Sequence, residues 1–264
     1  MASYTAKDVS ALRQMTGAGI LDCRNALEET GGDLEEAAKL LREKGLAGAA
    51  KRSDREASEG AVAVARDGDA AAVVELRCET DFVAKADEFV ALTNDLAALV
   101  AAKGEDAAAE LNDAIDGLRS TLKENISVGR VRRLVAEPGQ VLDTYLHQQA
   151  GRGVNAVAVV IDGGSDELAH DIAVHIAFTK PAYLSRDEVP EAEVAAERET
   201  LTTISRNEGK PEAALDKIVD GRMNGWYKER VLLDQSYVRD EKQTIAAMLG
   251  TARIVAFAQV VIGA

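Results

Sequence analysis

Apolar residues recur at helical spacing in three short stretches within the first 45 residues. Two of these stretches begin with a capping pattern, Thr5 with Asp8 and Asp33 with Glu36, and glycines follow each of the three. The run TGAG ends the first helix, GG ends the second, and the third is expected to end before Gly45. The pattern predicts a small three-helix bundle. A bundle of this size is marginal as a free unit, so we expect a docking module.

Residues 46–59, LAGAAKRSDREASE, are polar and charged, and we expect a linker there. The next apolar stretches predict a β-hairpin that turns at Asp67-Gly68. A helix with one apolar face follows, and a second, alanine-rich helix is expected over about 105–124. Two more strands are predicted on either side of Pro138-Gly139. This part of the chain therefore combines strands and helices in one lobe.

A comparable unit starts near residue 151, where GVNAVAVVI predicts a buried strand. Ser165 opens a helix that is expected to run through Phe178. Two highly charged helical stretches follow, and their short joint at 209–211 predicts an antiparallel helical hairpin. Its apolar positions are spaced for a narrow seam: Val194, Leu201, Ile204, Leu215, Ile218 and Val219. A helix near 241–249 and the apolar strand ARIVAFAQVVI are expected to close the lobe.

These elements predict an α+β fold with a three-helix N-terminal module, a two-lobed core with antiparallel sheets, and a projecting helical hairpin. The expected ranges are residues 1–54 for the module with its linker, 55–140 for the first lobe and 141–264 for the second. The hairpin is expected at about 190–229.

Composition limits what the chain can do. The net charge of −14 argues against a nonspecific nucleic-acid binder, which needs clustered Lys and Arg. Aromatic residues make up only 4% of the chain, so Ala, Val, Leu and Ile must build the core. No apolar stretch approaches the roughly 20 residues of a membrane span. The opening residues, MASYTAKDVS, lack a secretion signal, and two cysteines are too few for a disulfide framework, so a reducing cytoplasm is expected.

Motifs for chemistry are missing from the sequence. It contains no GxxxxGK[ST] phosphate loop, no GxGxxG after a strand and no His/Cys group with zinc spacing. His170 and His175 are five positions apart, which is wrong for one helix face, so we interpret them as ordinary helix residues. Cys78 with His147 could form a nucleophile pair, but a small buried cysteine in a strand is the favoured interpretation. The sequence predicts binding rather than catalysis, with no catalytic residues, cofactor or metal.

The stretch RCETDFVAKADEF, residues 77–89, stands between a predicted strand and a predicted helix. Its Phe82 precedes Phe89 by seven positions, which places both on one helical face and favours a core role. The preceding pair Thr80-Asp81 weakens that interpretation, because such a pair tends to cap a helix and expose its neighbours. The pattern alone leaves both roles open.

Two longer motifs, LRQMTGAGILDCRNAL (12–27) and CETDFVAKADEF (78–89), resemble the two signatures of the elongation factor Ts family. Further matching stretches cover essentially the whole chain in the expected order: 32–45, 180–190, 208–224 and 232–238. The resemblance implies a ubiquitin-associated-like N-terminal domain, a two-lobed core and a coiled-coil hairpin inserted in the second lobe.

The resemblance also implies a function. Proteins of this family release GDP from elongation factor Tu, contact its GTPase domain and a β-barrel domain, and bind no nucleotide themselves. The expected partner is therefore elongation factor Tu, with no direct binding of nucleic acid or membrane. A dimer through the C-terminal lobe or the hairpin is left open.

The resemblance implies partner contacts at eight positions: Thr80, Asp81, Phe82, Val83, Arg13, Ile20, Leu21 and His147. Phe82 would enter the GTPase domain, and His147 would face the β-barrel side. Ile20 and Leu21 stand where many members have two methionines. Lys123 stands where relatives have a glycine, so residues 122–125 are left out of the expected site.

Two other functions stay open at this point. The chain could be an adaptor that tethers partners without changing nucleotide kinetics, since missing chemistry motifs fit that function as well. It could also be a cysteine-dependent enzyme that uses Cys78. The TDFV joint favours the exchange factor over the adaptor, and the environment of Cys78 bears on the enzyme.

Overall fold

A computed structural model describes residues 4–50 and 52–263. Residues 1–3, Lys51 and Ala264, which the expected module, linker and second lobe include, lie outside the described residues. The helices are α1 (Ala6–Thr16), α2 (Ile20–Glu29), α3 (Leu34–Ala50), α4 (Asp81–Ala84), α5 (Asp87–Lys103), α6 (Asn112–Leu122), α7 (Asp166–Thr179), α8 (Glu191–Asn207), α9 (Leu215–Arg230) and α10 (Ile245–Leu249). The strands are β1 (Glu59–Asp67), β2 (Ala70–Cys78), β3 (Ser127–Val135), β4 (Gln140–Gln149), β5 (Arg152–Asp162), β6 (Ser236–Tyr237), β7 (Asp240–Thr244) and β8 (Arg253–Val261). The predicted α+β class is confirmed.

The first three helices form the predicted bundle and fit a ubiquitin-associated-like module. Thr5 and Asp8 make the reciprocal capping box at the start of α1. Gly17 ends that helix in the left-handed conformation, with a φ of 66° that favours glycine. One small apolar cluster holds the helices together: Leu12, Cys23, Ala26, Leu27 and Ala37.

The third helix does not stop before Gly45, and the linker prediction was wrong over residues 46–50. These residues extend α3, which crosses α6 of the core. At Gly45 a β-carbon would lie 2.6 Å from the Ser120 side-chain oxygen, so the missing side chain lets the two helices approach closely. Alanine favours helix, and glycine here serves packing rather than termination.

The core consists of four layers. β1, β2 and β3 form one antiparallel sheet, β4, β5 and β8 form another, and the two sheets pack face to face. Helix α5 covers the outer face of the first sheet, and α7 covers the outer face of the second. Strand β5 shows the alternation clearly, because Ala156, Ala158 and Val160 face the other sheet while Val157 and Val159 face α7.

The strands on either side of Pro138-Gly139 exist as predicted but do not pair with each other. β3 pairs with β2, whereas β4 pairs with β5. The chain therefore passes from one sheet to the other at this turn. Before it, the predicted helix over 105–124 is a 3-10 segment (Glu105–Leu111) followed by α6, which ends in a left-handed Lys123 with a φ of 59°.

Helices α8 and α9 form the predicted hairpin. They are antiparallel, because Arg198 pairs with Asp220 near the middle while Arg230, at the end of α9, approaches Glu193 at the start of α8. The predicted seam was wrong at Ile204, which is 41% exposed. The buried residue at this end of α8 is Ser205, whose hydroxyl donates to the Leu201 carbonyl.

The closing helix is shorter than predicted. Residues 240–244 form β7, which pairs with β6 in a small ribbon, and α10 begins only after Thr244, whose hydroxyl accepts from the Ala247 amide. Strand β8 follows as predicted and completes the second sheet. Within the described part of the chain, no helix is long and apolar enough to cross a membrane.

Candidate partner-binding site

Phe82 points away from the core. It lies on α4, a single helical turn whose Val83 amide donates to the Thr80 hydroxyl, and 82% of its surface is exposed. Phe89 is fully buried. The prediction that both share one helical face was wrong, because Ala86 adopts an extended conformation and starts a new helix, α5, between them.

The turn that carries Phe82 is fixed from below. Ala84 is buried in the cluster that also holds Cys78 and Phe89, and Val83 packs against its edge. Only the outer side of the turn meets solvent. The exposed ring therefore stands on a rigid frame, as a binding residue requires.

A second brace comes from the segment between α6 and β3. The Glu124 carboxylate accepts hydrogen bonds from the Glu79 amide at 3.0 Å, the Thr80 amide at 3.2 Å and the Thr80 hydroxyl. The Asn125 amide donates to the Glu79 carboxylate at 2.7 Å. The sequence interpretation left this segment out because of Lys123. The structure instead makes Glu124 and Asn125 a support for the Phe82 turn.

Asp81 lies beside Phe82 and forms an ion pair with Lys85 one helical turn further on, at 2.5 Å. The hydrogen bond from Lys85 lowers the pKa of the Asp81 carboxyl, and the charge of Arg152 acts in the same direction. Asp81 is therefore ionised at neutral pH. Both Asp81 and Thr80 are accessible, so this edge presents a carboxylate, a hydroxyl and an aromatic ring together.

The N-terminal module presents a second accessible surface. Arg13 and Ile20 line a groove of about 420 Å³ between α1 and α2. Ile20 and Leu21 are both exposed, so neither belongs to the bundle core. Met15 is exposed as well and was not among the expected contacts. Exposed apolar side chains of this size at one end of a small bundle are typical of a binding surface.

His147 lies near the end of β4, on the outer face of the second sheet. It is exposed and lines a groove of about 600 Å³ between this sheet and the end of α7. The structure thus distributes the eight expected contacts over the α4 turn, the module and the β4 groove. Phe178 lines the same groove and was not expected from the sequence.

Cys78 has the environment of a core residue. It is fully buried, and its thiol donates to the Thr80 carbonyl at 3.2 Å. Burial raises the pKa of the Cys78 thiol to about 12, so no thiolate forms at neutral pH. This environment argues against a cysteine nucleophile and supports the favoured interpretation of Cys78.

We compared the chain with known protein families and with similar proteins to establish the family to which it belongs. The family model described as Elongation factor TS matches residues 79–264, beginning just before the Phe82 turn. A protein named Elongation factor Ts from Clavibacter michiganensis subsp. michiganensis is 44% identical to this chain over 278 residues, and the match covers 100% of both chains. Another, from Kineococcus radiotolerans, is 45% identical over 266 residues and 96% of each chain. The chain belongs to the elongation factor Ts family. The resemblance seen in the two signatures is thereby confirmed.

Lys123 links the two parts of this elongation factor Ts family member. At this position, where the resemblance implies a glycine, the backbone has the left-handed conformation that a glycine would adopt easily. The Lys123 ammonium group pairs with Asp22 of the N-terminal module at 2.8 Å. The side chain that replaces glycine therefore connects the core to α2.

Proposed function

We propose that this protein is the exchange factor of elongation factor Tu, which binds the GDP complex and promotes GDP release. Membership of the elongation factor Ts family supports this function. The observation that carries the mechanism is Phe82, a large apolar side chain exposed on a turn that is capped and braced. The protein would act in the cytoplasm, by binding alone and without a catalytic site of its own.

The proposed mechanism is differential binding. A GTPase holds GDP through its phosphate loop and Mg²⁺. A factor that releases GDP must bind the nucleotide-free state more tightly than the GDP state, and GDP must weaken the factor's own binding by the same ratio. An aromatic ring provides such a difference if it fits between helices of the partner, near the partner's Mg²⁺ site, only after those helices have moved.

Phe82 would insert there, with Thr80, Asp81 and Val83 around it. Full burial of a phenylalanine contributes about 1.5–3 kcal/mol, which corresponds to about a ten- to hundredfold shift in an equilibrium. A larger acceleration requires further contacts. We assign these further contacts to Arg13, Ile20 and Leu21 of the N-terminal module and to His147, which would face the β-barrel side of the partner. All four residues are exposed, and they lie on two surfaces other than the α4 turn.

The test compares two phenylalanines of opposite burial. The Phe82→Ala protein should melt at the parental temperature, because exposed substitutions usually change stability by no more than about 0.5 kcal/mol. It should nevertheless slow fluorescent-GDP release from elongation factor Tu by about tenfold or more. Phe89→Ala, the matched control, should lower the melting temperature, since removing a buried phenylalanine costs about 3–5 kcal/mol.

Stopped-flow release curves and thermal melts of both variants decide between the alternatives. A Phe82→Ala protein that releases GDP at the parental rate would remove the proposed mechanism. A parental protein that binds elongation factor Tu without accelerating release would instead be an adaptor. Calorimetry that shows tight GTP binding by the isolated chain would contradict the assignment altogether.

A further inference from the structure

A second exposed aromatic ring lies on the other lobe of the core. Phe178, close to the end of α7, is 77% exposed, while Ile176 and Ala177 beside it are buried. A helix that covers a sheet buries its apolar residues on one face. Phe178 lies off that face, so packing within this chain does not account for it.

The backbone under Phe178 is held in place. Asn155 donates a hydrogen bond to the Ala177 carbonyl at 2.7 Å, and Gln259 donates to the Ile176 carbonyl at 3.2 Å. The helix ends at Lys180, whose backbone adopts a φ of 51° and whose amide bonds back to Ile176. Side chains from β5 and β8 thus fix the end of α7, and the ring of Phe178 stands on a rigid frame as Phe82 does.

The groove beside Phe178 combines apolar walls with polar groups and the positive charge of Lys180 at its rim. Tyr145 and Val174 contribute apolar surface, while His147 and Lys180 are exposed at its rim. Arg152 is engaged, because its guanidinium binds Glu59 at 2.9 Å and the Gly60 carbonyl at 2.7 Å. No acidic side chain in residues 4–50 and 52–263 forms an ion pair with Lys180. In a chain of net charge −14, this rim is a local exception.

The groove is continuous with the surface around Phe82. Glu59 lines the groove and pairs with Cys78 in the first sheet, two residues before Thr80. Arg152, on the same rim, lies close enough to Asp81 for its charge to act on that carboxylate. One partner can therefore contact the α4 turn and the groove together.

We propose that Phe178 is an anchor for elongation factor Tu, beside His147, and that its groove takes an apolar side chain flanked by a carboxylate from the partner's β-barrel domain. This inference rests on the proposed function. An aromatic anchor on a rigid frame, with a complementary charge next to it, is the usual form of a binding hot spot. Phe178 would bind the GDP-bound and the nucleotide-free partner alike, so it contributes to affinity and not, as Phe82 does, to the release step.

The experiment measures fluorescent-GDP release over a range of factor concentrations for Phe178→Ala. We expect the concentration that gives half-maximal stimulation to rise about tenfold, as for a hot-spot residue, with the maximal rate and melting temperature unchanged. Val135→Ala is the matched control, since Val135 is also an exposed apolar residue but lies outside the groove. Lys180→Glu should also raise the factor concentration that gives half-maximal stimulation, and this concentration should depend less on salt than it does for the parental protein.

Failure of this inference is distinguishable from failure of the proposed function. If the parental protein accelerates release and Phe178→Ala has the parental half-maximal concentration, the anchor is wrong and the function stands. If the parental protein does not accelerate release, direct titration with elongation factor Tu still tests the anchor. If light scattering shows that Phe178→Ala dissociates a parental dimer while affinity for elongation factor Tu stays unchanged, the groove holds a second copy and the proposal is overturned.

Discussion

The side chain of His175, in the middle of α7, is fully buried under the β6–β7 ribbon. One ring nitrogen, Nε2, lies 2.9 Å from the Gln235 side-chain oxygen, and the other, Nδ1, accepts from the Val238 amide at 3.4 Å. These partners fit a neutral ring with its proton on Nε2. Burial lowers the pKa of His175, although the hydrogen bond to Gln235 opposes this shift.

This environment predicts acid sensitivity. Because the pKa of His175 is lower in the folded state, the unfolded chain binds the proton first, and stability falls as pH drops below about 6.5. The loss should reach about 1.4 kcal/mol per pH unit until the folded pKa is passed. Urea unfolding at pH 7.5, 6.5 and 5.5 measures it. His175→Gln should flatten the profile in this range, and an equally steep profile in that variant would assign the effect elsewhere.

Helix α4 has only four residues, and its capping residue Thr80 is held by Glu124, which lies 44 residues further along the chain. Glu124→Ala should slow maximal GDP release several-fold while lowering stability by only about 1 kcal/mol, since Glu124 is half-buried and water can reach the Thr80 amide and hydroxyl that lose their acceptor. The expected cause is a looser Phe82 frame. Release at saturating factor, with hydrogen exchange at residues 79–84, measures both effects.

Glu137→Ala is the control for this change, because it removes the same charge from an exposed turn in the same lobe. If both variants release GDP equally fast, the Glu124 brace has no functional role. If Glu124→Ala slows release without faster hydrogen exchange in the α4 turn, Glu124 acts by another route than holding Phe82.

Elements whose boundaries depend on local signals were predictable from the sequence. The capping box at Thr5 and the turn at Gly68 involve residues three or four apart, and both occur as expected. The pairing of β3 and β4 with strands of different sheets depends on burial between distant segments, which no local pattern contains. The same holds for α3, because the reason for its glycine at position 45 is Ser120, far along the chain.

The candidate site was predictable in part, and mainly through the family motifs. They led to Phe82, but local pattern placed it on one face with Phe89, since periodicity cannot detect a break at Ala86. Phe178 had no signal at all. The sequence pattern predicts a phenylalanine at the end of an apolar helix to be a core residue. Only the position of the sheet under the helix determines which face of the helix is buried.

At the scale of the whole molecule, the N-terminal module docks on α6 through close contacts with small residues. Gly45 lies against Ser120, and Gly17 lies against Thr121, where a β-carbon would come within 2.8 Å of a methyl group. Elsewhere a cavity of about 710 Å³ separates the two parts. The orientation of the module therefore depends on these two close approaches and on the Lys123–Asp22 ion pair.

Gly45→Ala should undock the module without unfolding it. Alanine favours the helix by about 1 kcal/mol over glycine, yet its β-carbon would clash with Ser120. Hydrogen exchange across α6 should become several-fold faster, and affinity for elongation factor Tu should fall. Ser120→Gly in the same chain should restore both, because the nearest remaining atom is the Cα at 3.6 Å. Unchanged protection of α6 in the single variant would show that the two helices accommodate the added β-carbon and stay docked.

The pairing of β5 with β8 has a consequence for how the chain folds as it is made. The two strands pair with Asn155 opposite Val261, although the hairpin, the ribbon and α10 lie between them in the sequence. Until Arg253 and the residues after it leave the ribosome, β5 has one open edge, and Val157 and Val159 lie along it. Open apolar edges pair with neighbouring chains. A message that stops before Arg253 should therefore yield a product that aggregates through the open edge of β5.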